Sequence, residues 1–139
     1  DLDGFKQVND QFGHAAGDAL LREAAKRMQR ALRDTDFIAR TGGDEFVVML
    51  PQMKGSKDHV LIAERLIRCI ARPITVAGRT IEMGASIGVA LAGDRQLPFY
   101  ELLGEADVAL YEAKRSGKCT WQVYRPEGFA ARRRVAEPA

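Results

Sequence analysis

Residues 36–50, DFIARTGGDEFVVML, read as a hairpin whose tip is hard to satisfy, and the rest of the chain has to accommodate it. Two runs, Asp36–Arg40 and Phe46–Leu50, carry β-branched and aromatic residues on either side of Thr41-Gly42-Gly43-Asp44-Glu45, the pattern of two strands and a tight turn. Two adjacent acids repel each other at such a tip unless a cation arrives. Glycine lets the backbone approach a ligand closely and adopt positive φ. Paired carboxylates on a rigid turn suit a hard divalent cation such as magnesium, which prefers oxygen ligands and keeps phosphate oxygens in its shell. A solvated tip without a ligand fits the same residues, and the stretch alone leaves both readings open.

The remaining elements follow from periodicity and breakers. Gly4–Gln11 fits a short helix, and Ala16–Arg33 a longer one with Leu20, Leu21, Ala24, Met28, Ala31 and Leu32 as its apolar stripe. After a Gly-, Ser- and Lys-rich loop over Pro51–Asp58, His59–Ala71 turns Ile62, Ala63, Leu66, Ile67 and Ile70 inward and stops at Pro73. Ile74–Val76 and Arg79–Glu82 flank Ala77-Gly78 as a small hairpin, and Ala85–Ala92 reads as one core strand. A loop over Gly93–Pro98 leads to a helix over Tyr100–Arg115, with Gly117 placed to end it. Trp121–Tyr124 is a last short strand. Helices among strands with a central hairpin predict an α+β domain, helices packed on a mostly antiparallel sheet.

Composition narrows the class. A chain of 139 residues is one domain by length, and 46% hydrophobic with 29% charged residues allows a real core. It holds no run of about eighteen apolar residues and no signal-peptide pattern, so no membrane contact is expected from this segment. Cys69 and Cys119 have no CxxC spacing and read as reduced thiols. A net charge of +2 implies no nucleic-acid groove, so an anionic ligand would be held by a few placed cations. The tail from Arg125 onward, with Arg132-Arg133-Arg134, reads as a polar linker or frayed helix.

RTGGDEFVVML resembles the signature of the GGDEF family, the diguanylate cyclases. DLDGFKQVNDQFGHAAGDALL at 1–21 resembles the family's other long motif, and ASIGVA at 85–90 and ADVALYEAKRSGK at 106–118 resemble its later blocks, in the same order. Several independent parts over residues 1–125 make this a specific match. The resemblance implies a GGDEF domain over 1–125 with a tail over 126–139. It also implies the ferredoxin-like palm fold shared with nucleotide cyclases and polymerases. The family's first strand and its preceding helical segment, with a DxLTxLxNR-like motif, would lie before Asp1. A sheet edge is then expected to be unpaired, and the 139-residue chain by itself is expected to be poorly active.

The reaction so implied joins two GTP into cyclic di-GMP and two pyrophosphates across a homodimer, with magnesium or manganese as cofactor. Asp1, the Leu2 carbonyl, Asp44 and Glu45 match metal-binding positions. Asp44 and Glu45 also match the proton-accepting position, and which of them serves stays open, with Asp44 favoured. Asn9 and Asp18 match a guanine-contacting pair, and His14 a further substrate contact. Read bare, they are helix-end polar residues, Asp18 pairing with Arg22. Lys6 matches a position that stabilises the transition state. Lys114 and Lys118 match phosphate contacts and would share one face of an extended helix; a cation at a helix C-terminus is their plainer role. Gly42 and Gly43 would let the turn lie against the nucleotide. Arg33 and Asp36 fit the RxxD of the family's inhibitory product site, with Arg65 or Arg68 in reserve to complete it.

A catalytically silent module that senses GTP or cyclic di-GMP for an attached domain is the alternative function, and a ligand-free scaffold a third. The resemblance further implies a bacterial cytoplasmic location and a fused regulatory domain outside this chain.

Overall fold

The structure, a computed structural model, describes residues 1–127. The basic run at 132–134 and most of the expected tail lie outside the described residues. In chain order the elements are β1 (Leu2–Asp3), α1 (Phe5–Phe12), α2 (His14–Ala31), β2 (Phe37–Gly42), β3 (Glu45–Met49) and α3 (Asp58–Ala71), then β4 (Ile74–Val76), β5 (Arg79–Ile81), β6 (Gly84–Ala85), β7 (Ile87–Val89), α4 (Phe99–Arg115) and β8 (Trp121–Val123). The fold is α+β, as expected. Among the described residues no helix is long and apolar enough to cross a membrane.

The core forms where two amphipathic helices meet. Leu20, Leu21, Ala24, Met28 and Ala31 of α2 are buried with Ile62, Leu66 and Ile70 of α3, and Leu2, Val8, Ile74, Ile81 and Ala85 from the strands and α1, with Met83 between β5 and β6, complete the cluster. Leu32, expected inside, packs only partly buried at the edge. Arg27 fastens the two helices: its guanidinium donates to the carbonyls of Cys69, Arg72 and Pro73 at 3.1, 2.5 and 3.0 Å, while Nε reaches Glu23 at 3.1 Å. The C-terminal carbonyls of α3 thus receive a cation from α2, which suits the negative end of the helix.

The strands form four two-stranded ladders, of which β1–β6, β2–β3 and β4–β5 are antiparallel and β7–β8 is parallel. The segment expected as one strand over Ala85–Ala92 divides at Ser86. Its first part pairs with β1 and its second with β8, and the ladder ends at Val89. Ser86 turns the corner because its N–H donates to the Asp1 carbonyl at 2.9 Å and its hydroxyl to the Asp3 carboxylate at 2.8–2.9 Å. Helix α4 lies so close to β7 that a Cβ on Gly88 would overlap the Ala106 carbonyl and the Leu110 amide.

Helix α4 also corrects an expectation. It stops at Arg115, so Lys114 and Lys118 do not share a helical face. Gly117 has φ 109° and its N–H donates to the Lys114 carbonyl at 3.2 Å, while Lys118 N–H donates to Ala113 at 3.3 Å. That paired closure is a Schellman end, and it leaves Lys118 exposed in a left-handed conformation beyond the helix.

Candidate active site

The acid-bearing turn and β1 are joined through their backbones. The β2–β3 register runs from Phe37 opposite Met49 to Gly42 opposite Glu45, with an irregularity between Arg40 and Gly42. Only Gly43 and Asp44 therefore remain at the tip. Neither Gly42, which closes the ladder, nor Gly43 at the tip adopts positive φ, contrary to the simplest use of glycine there, and a Cβ on Gly43 would meet nothing within 4 Å. Leu2 N–H donates to the Asp44 carbonyl at 3.1 Å, which brings Asp1 and Leu2 beside Asp44.

The Asp1 carboxylate is nearly buried, 8% exposed, and its Oδ1 lies 3.0 Å from the Lys114 ammonium. Asp1, Thr41, Glu45, Phe46 and Val47 share a cavity of about 220 Å³ with Leu103, Asp107 and Leu110 of α4. A larger hollow of about 480 Å³ lies between α2 and β4. Its charged groups, Glu23 and Arg27, are already paired, so the smaller acidic cavity is the better site. Asp1, the Leu2 carbonyl, Asp44 and Glu45 are all oxygen donors, a set that fits a hard divalent cation. Among the described residues no three acid, Cys or His side chains converge on one point. Nucleotide phosphates would have to complete the shell, as magnesium commonly requires.

Asn9 of α1 and Asp18 of α2 lie on either side of the corner between the two helices. Gly13 alone links the two helices, with φ 88°, and its N–H donates to the Asn9 carbonyl at 2.9 Å. A Cβ on Gly17 would overlap the Asn9 side chain, so Asn9 packs against the residue preceding Asp18. The Asn9 Oδ1 is buried there without a hydrogen-bond partner. His14 opens α2 and is exposed, as is Asp18. Lys6 is exposed in the first turn of α1, whose N-terminus has no side-chain cap. That uncapped end, directly after β1, offers free N–H groups and a positive dipole.

Arg33 and Asp36 form a closed turn. Arg33 N–H donates to Asp36 Oδ2 at 2.9 Å, and Asp36 N–H donates back to the Arg33 carbonyl at 2.9 Å. The guanidinium also bonds both Asp36 oxygens, at 3.2 and 3.3 Å, and the Asp36 side chain is fully buried. Arg65 donates to the Ala31 carbonyl at 2.9 Å, at the end of α2 near Arg33. Arg68 instead faces Glu64 at 3.9 Å.

The chain matches the profile of the family described as diguanylate cyclase, GGDEF domain, over residues 1–120. The chain belongs to the GGDEF family. It is 44% identical over 119 residues to the bifunctional diguanylate cyclase/cyclic di-GMP phosphodiesterase MucR of Pseudomonas aeruginosa, covering 85% of this chain and 17% of MucR. The solved GGDEF domain of TpbB (YfiN), also from Pseudomonas aeruginosa, superposes with a TM-score of 0.85 at 38% identity, covering 90% of this chain and 73% of that one. The GGDEF domain of DgcB from Caulobacter crescentus, solved in complex with c-di-GMP, gives 0.78 at 28% identity, covering 92% and 75%. These neighbours make the fold the palm-like one expected. The chain spans 12% to 17% of the length of the curated relatives it matches first.

Three features of this GGDEF domain were not singled out in the sequence. Asp107 lines the acidic cavity from α4, and only its place in the ADVALY run hinted at it. Gly17 receives Asn9, and a residue without a side chain announces its use only through its neighbour. The carboxylate of Asp3, which follows the metal-type acid Asp1, accepts from Ser86 and from Cys119 N–H at 3.0 Å, so it fixes β1 and the turn after α4.

Proposed function

We propose that this GGDEF domain condenses two GTP into cyclic di-GMP. In each step a bond forms between a ribose 3′-oxygen and an α-phosphorus, the bond to the β-phosphate breaks, and pyrophosphate leaves. The observation that carries the reading is the Leu2–Asp44 backbone bond, which ties two acid-bearing strands together beside an uncapped helix.

Asp18 accepts from guanine N1–H and N2–H₂, and Asn9 donates to O6. Adenine would present an acceptor to Asp18, a mismatch of about 1–3 kcal/mol. The α1 N-terminus and Lys6 hold phosphate oxygens, aided by Lys114, Lys118 and His14, while Gly43 leaves room for the nucleotide. Asp44 takes the 3′-hydroxyl proton, with Glu45 beside it. Asp1, the Leu2 carbonyl, Asp44 and Glu45 would hold magnesium or manganese, whose chemistry is to neutralise phosphate charge and polarise the phosphorus. Each domain holds one GTP, so a homodimer completes the reaction. Arg33 and Asp36 bind the product as an inhibitor.

The test is incubation of the dimerised protein with magnesium and GTP. Cyclic di-GMP and pyrophosphate are expected, and Asp44→Asn should lower the rate by roughly a hundredfold or more, the usual loss on removing a proton acceptor. Nucleotide binding without turnover by the unaltered protein would replace the cyclase with the silent sensing module.

A further inference from the structure

Arg33 is held by more than its RxxD partner. Its Nη1 donates to Asp58 Oδ2 at 3.1 Å and its Nη2 to the Gln52 carbonyl at 2.7 Å. The same Asp58 oxygen accepts Lys54 N–H at 2.7 Å. The loop before α3 is thereby folded over the guanidinium, which is 24% exposed.

We infer that Asp58 is a competing anion that must leave Arg33 before a phosphate or guanine edge can be gripped there, and so sets the affinity of the domain for its product. The inference rests on the reading of Arg33 and Asp36 as a product site. Two carboxylates share one guanidinium, with the Lys54 charge acting on Asp58 as well, and an incoming phosphodiester adds a further anion to the same guanidinium. Relief has to come from one of the acids. Asp36 is fixed: its side chain is fully buried, both its oxygens are engaged, and its own N–H closes the turn onto Arg33. Asp58 holds the guanidinium through one oxygen only and its side chain is 20% exposed at the first turn of α3. A rotation about its side chain frees Nη1, where a ligand oxygen would dock, and releases the Lys54 amide with it. Guanidinium suits such an exchange, because a phosphate and a carboxylate present it with similar paired acceptors.

The measurement is calorimetric titration of the full chain with cyclic di-GMP. Asp58→Asn keeps an oxygen for the Lys54 amide and removes the charge; binding should tighten roughly two- to fivefold, the upper range for losing one partly exposed ion pair. Asp58→Ser, which removes the charge and keeps a small oxygen acceptor, should do the same and guards against a folding defect in either variant. Arg33→Ala should abolish binding. Unchanged or weaker binding by both Asp58 variants, with Arg33→Ala still inactive, overturns the competition while leaving the product site standing. Binding that survives Arg33→Ala, or no binding by the unaltered chain, removes the product site and the competition together.

Discussion

Asn9 is the proposed base contact whose side chain the structure seats most closely. Its oxygen is buried with no donor, against a glycine that leaves it room. A buried unpaired acceptor costs about 1–3 kcal/mol; the guanine contact proposed for Asn9 uses its amide N–H₂, so the seat against Gly17 orients the side chain while its oxygen stays unpaired. Gly17→Ala tests this without touching Asn9 itself. Alanine is the better helix former by about 1 kcal/mol, so the helix alone does not suffer, but the new methyl must drive the Asn9 side chain from its seat. GTP affinity in titration calorimetry should fall roughly tenfold, one hydrogen bond's worth, with the urea midpoint little changed. Unchanged affinity would remove Asn9 from the guanine site. At this scale the candidate residues came from the family resemblance, since read bare most of them fit helix-end or surface polar roles. Gly17, Asp58 and Asp107 were not legible in the sequence, since each acquires its place from a residue on another element: Asn9 of α1 for Gly17, Arg33 for Asp58 and the Asp1 and Glu45 cavity for Asp107.

Element boundaries show what local pattern reaches. The stripes of α2 and α3 were readable, and Ile62, Ala63, Leu66, Ile67 and Ile70 are all buried as periodicity demands. Ser86 was not readable as a break, because the change of partner from β1 to β8 is written in Asp1, Asp3 and Thr120 rather than in its own surroundings. Helix α3 begins at Asp58 and so carries His59 into its first turn, where Nδ1 is buried without a partner. Burial pulls the His59 pKa below its ordinary 6.5, with Arg125 acting the same way and Asp58 opposing. The folded chain therefore resists a proton that the unfolded chain accepts. The stability this gives is whole above pH 6.5, declines as the pH falls through that value, and levels off below the folded pKa. Urea midpoints at about pH 7.5 and 5.5 should show the loss, and His59→Gln should flatten it. Asp58, whose carboxyl is held below 3.8 chiefly by the Lys54 amide, loses its contribution only in stronger acid and does not confuse that window.

At the level of the molecule, what local patterns could not supply was the long-range pairing. Leu2 reaching Asp44, and β1 lying against β6, appear only in the structure, because a two-residue strand carries no periodicity of its own. That geometry has a stoichiometric consequence for the proposed reaction. One chain offers one acid set on β1 and the hairpin tip, one Asn9–Asp18 corner and one uncapped α1, enough for a single GTP. The product contains two guanosines joined by two 3′–5′ links, so each bound nucleotide must present its α-phosphate to the 3′-hydroxyl held by another copy. The rate of pyrophosphate release per chain should then rise in proportion to chain concentration as long as sedimentation shows the protein monomeric. It should become independent of concentration when two copies are fused through a flexible linker, which replaces encounter by a fixed effective concentration. A constant rate per chain across about a hundredfold dilution, measured on protein that sediments as a monomer, would mean that one domain completes the chemistry alone. The assignment of one nucleotide to each site would then have to be given up.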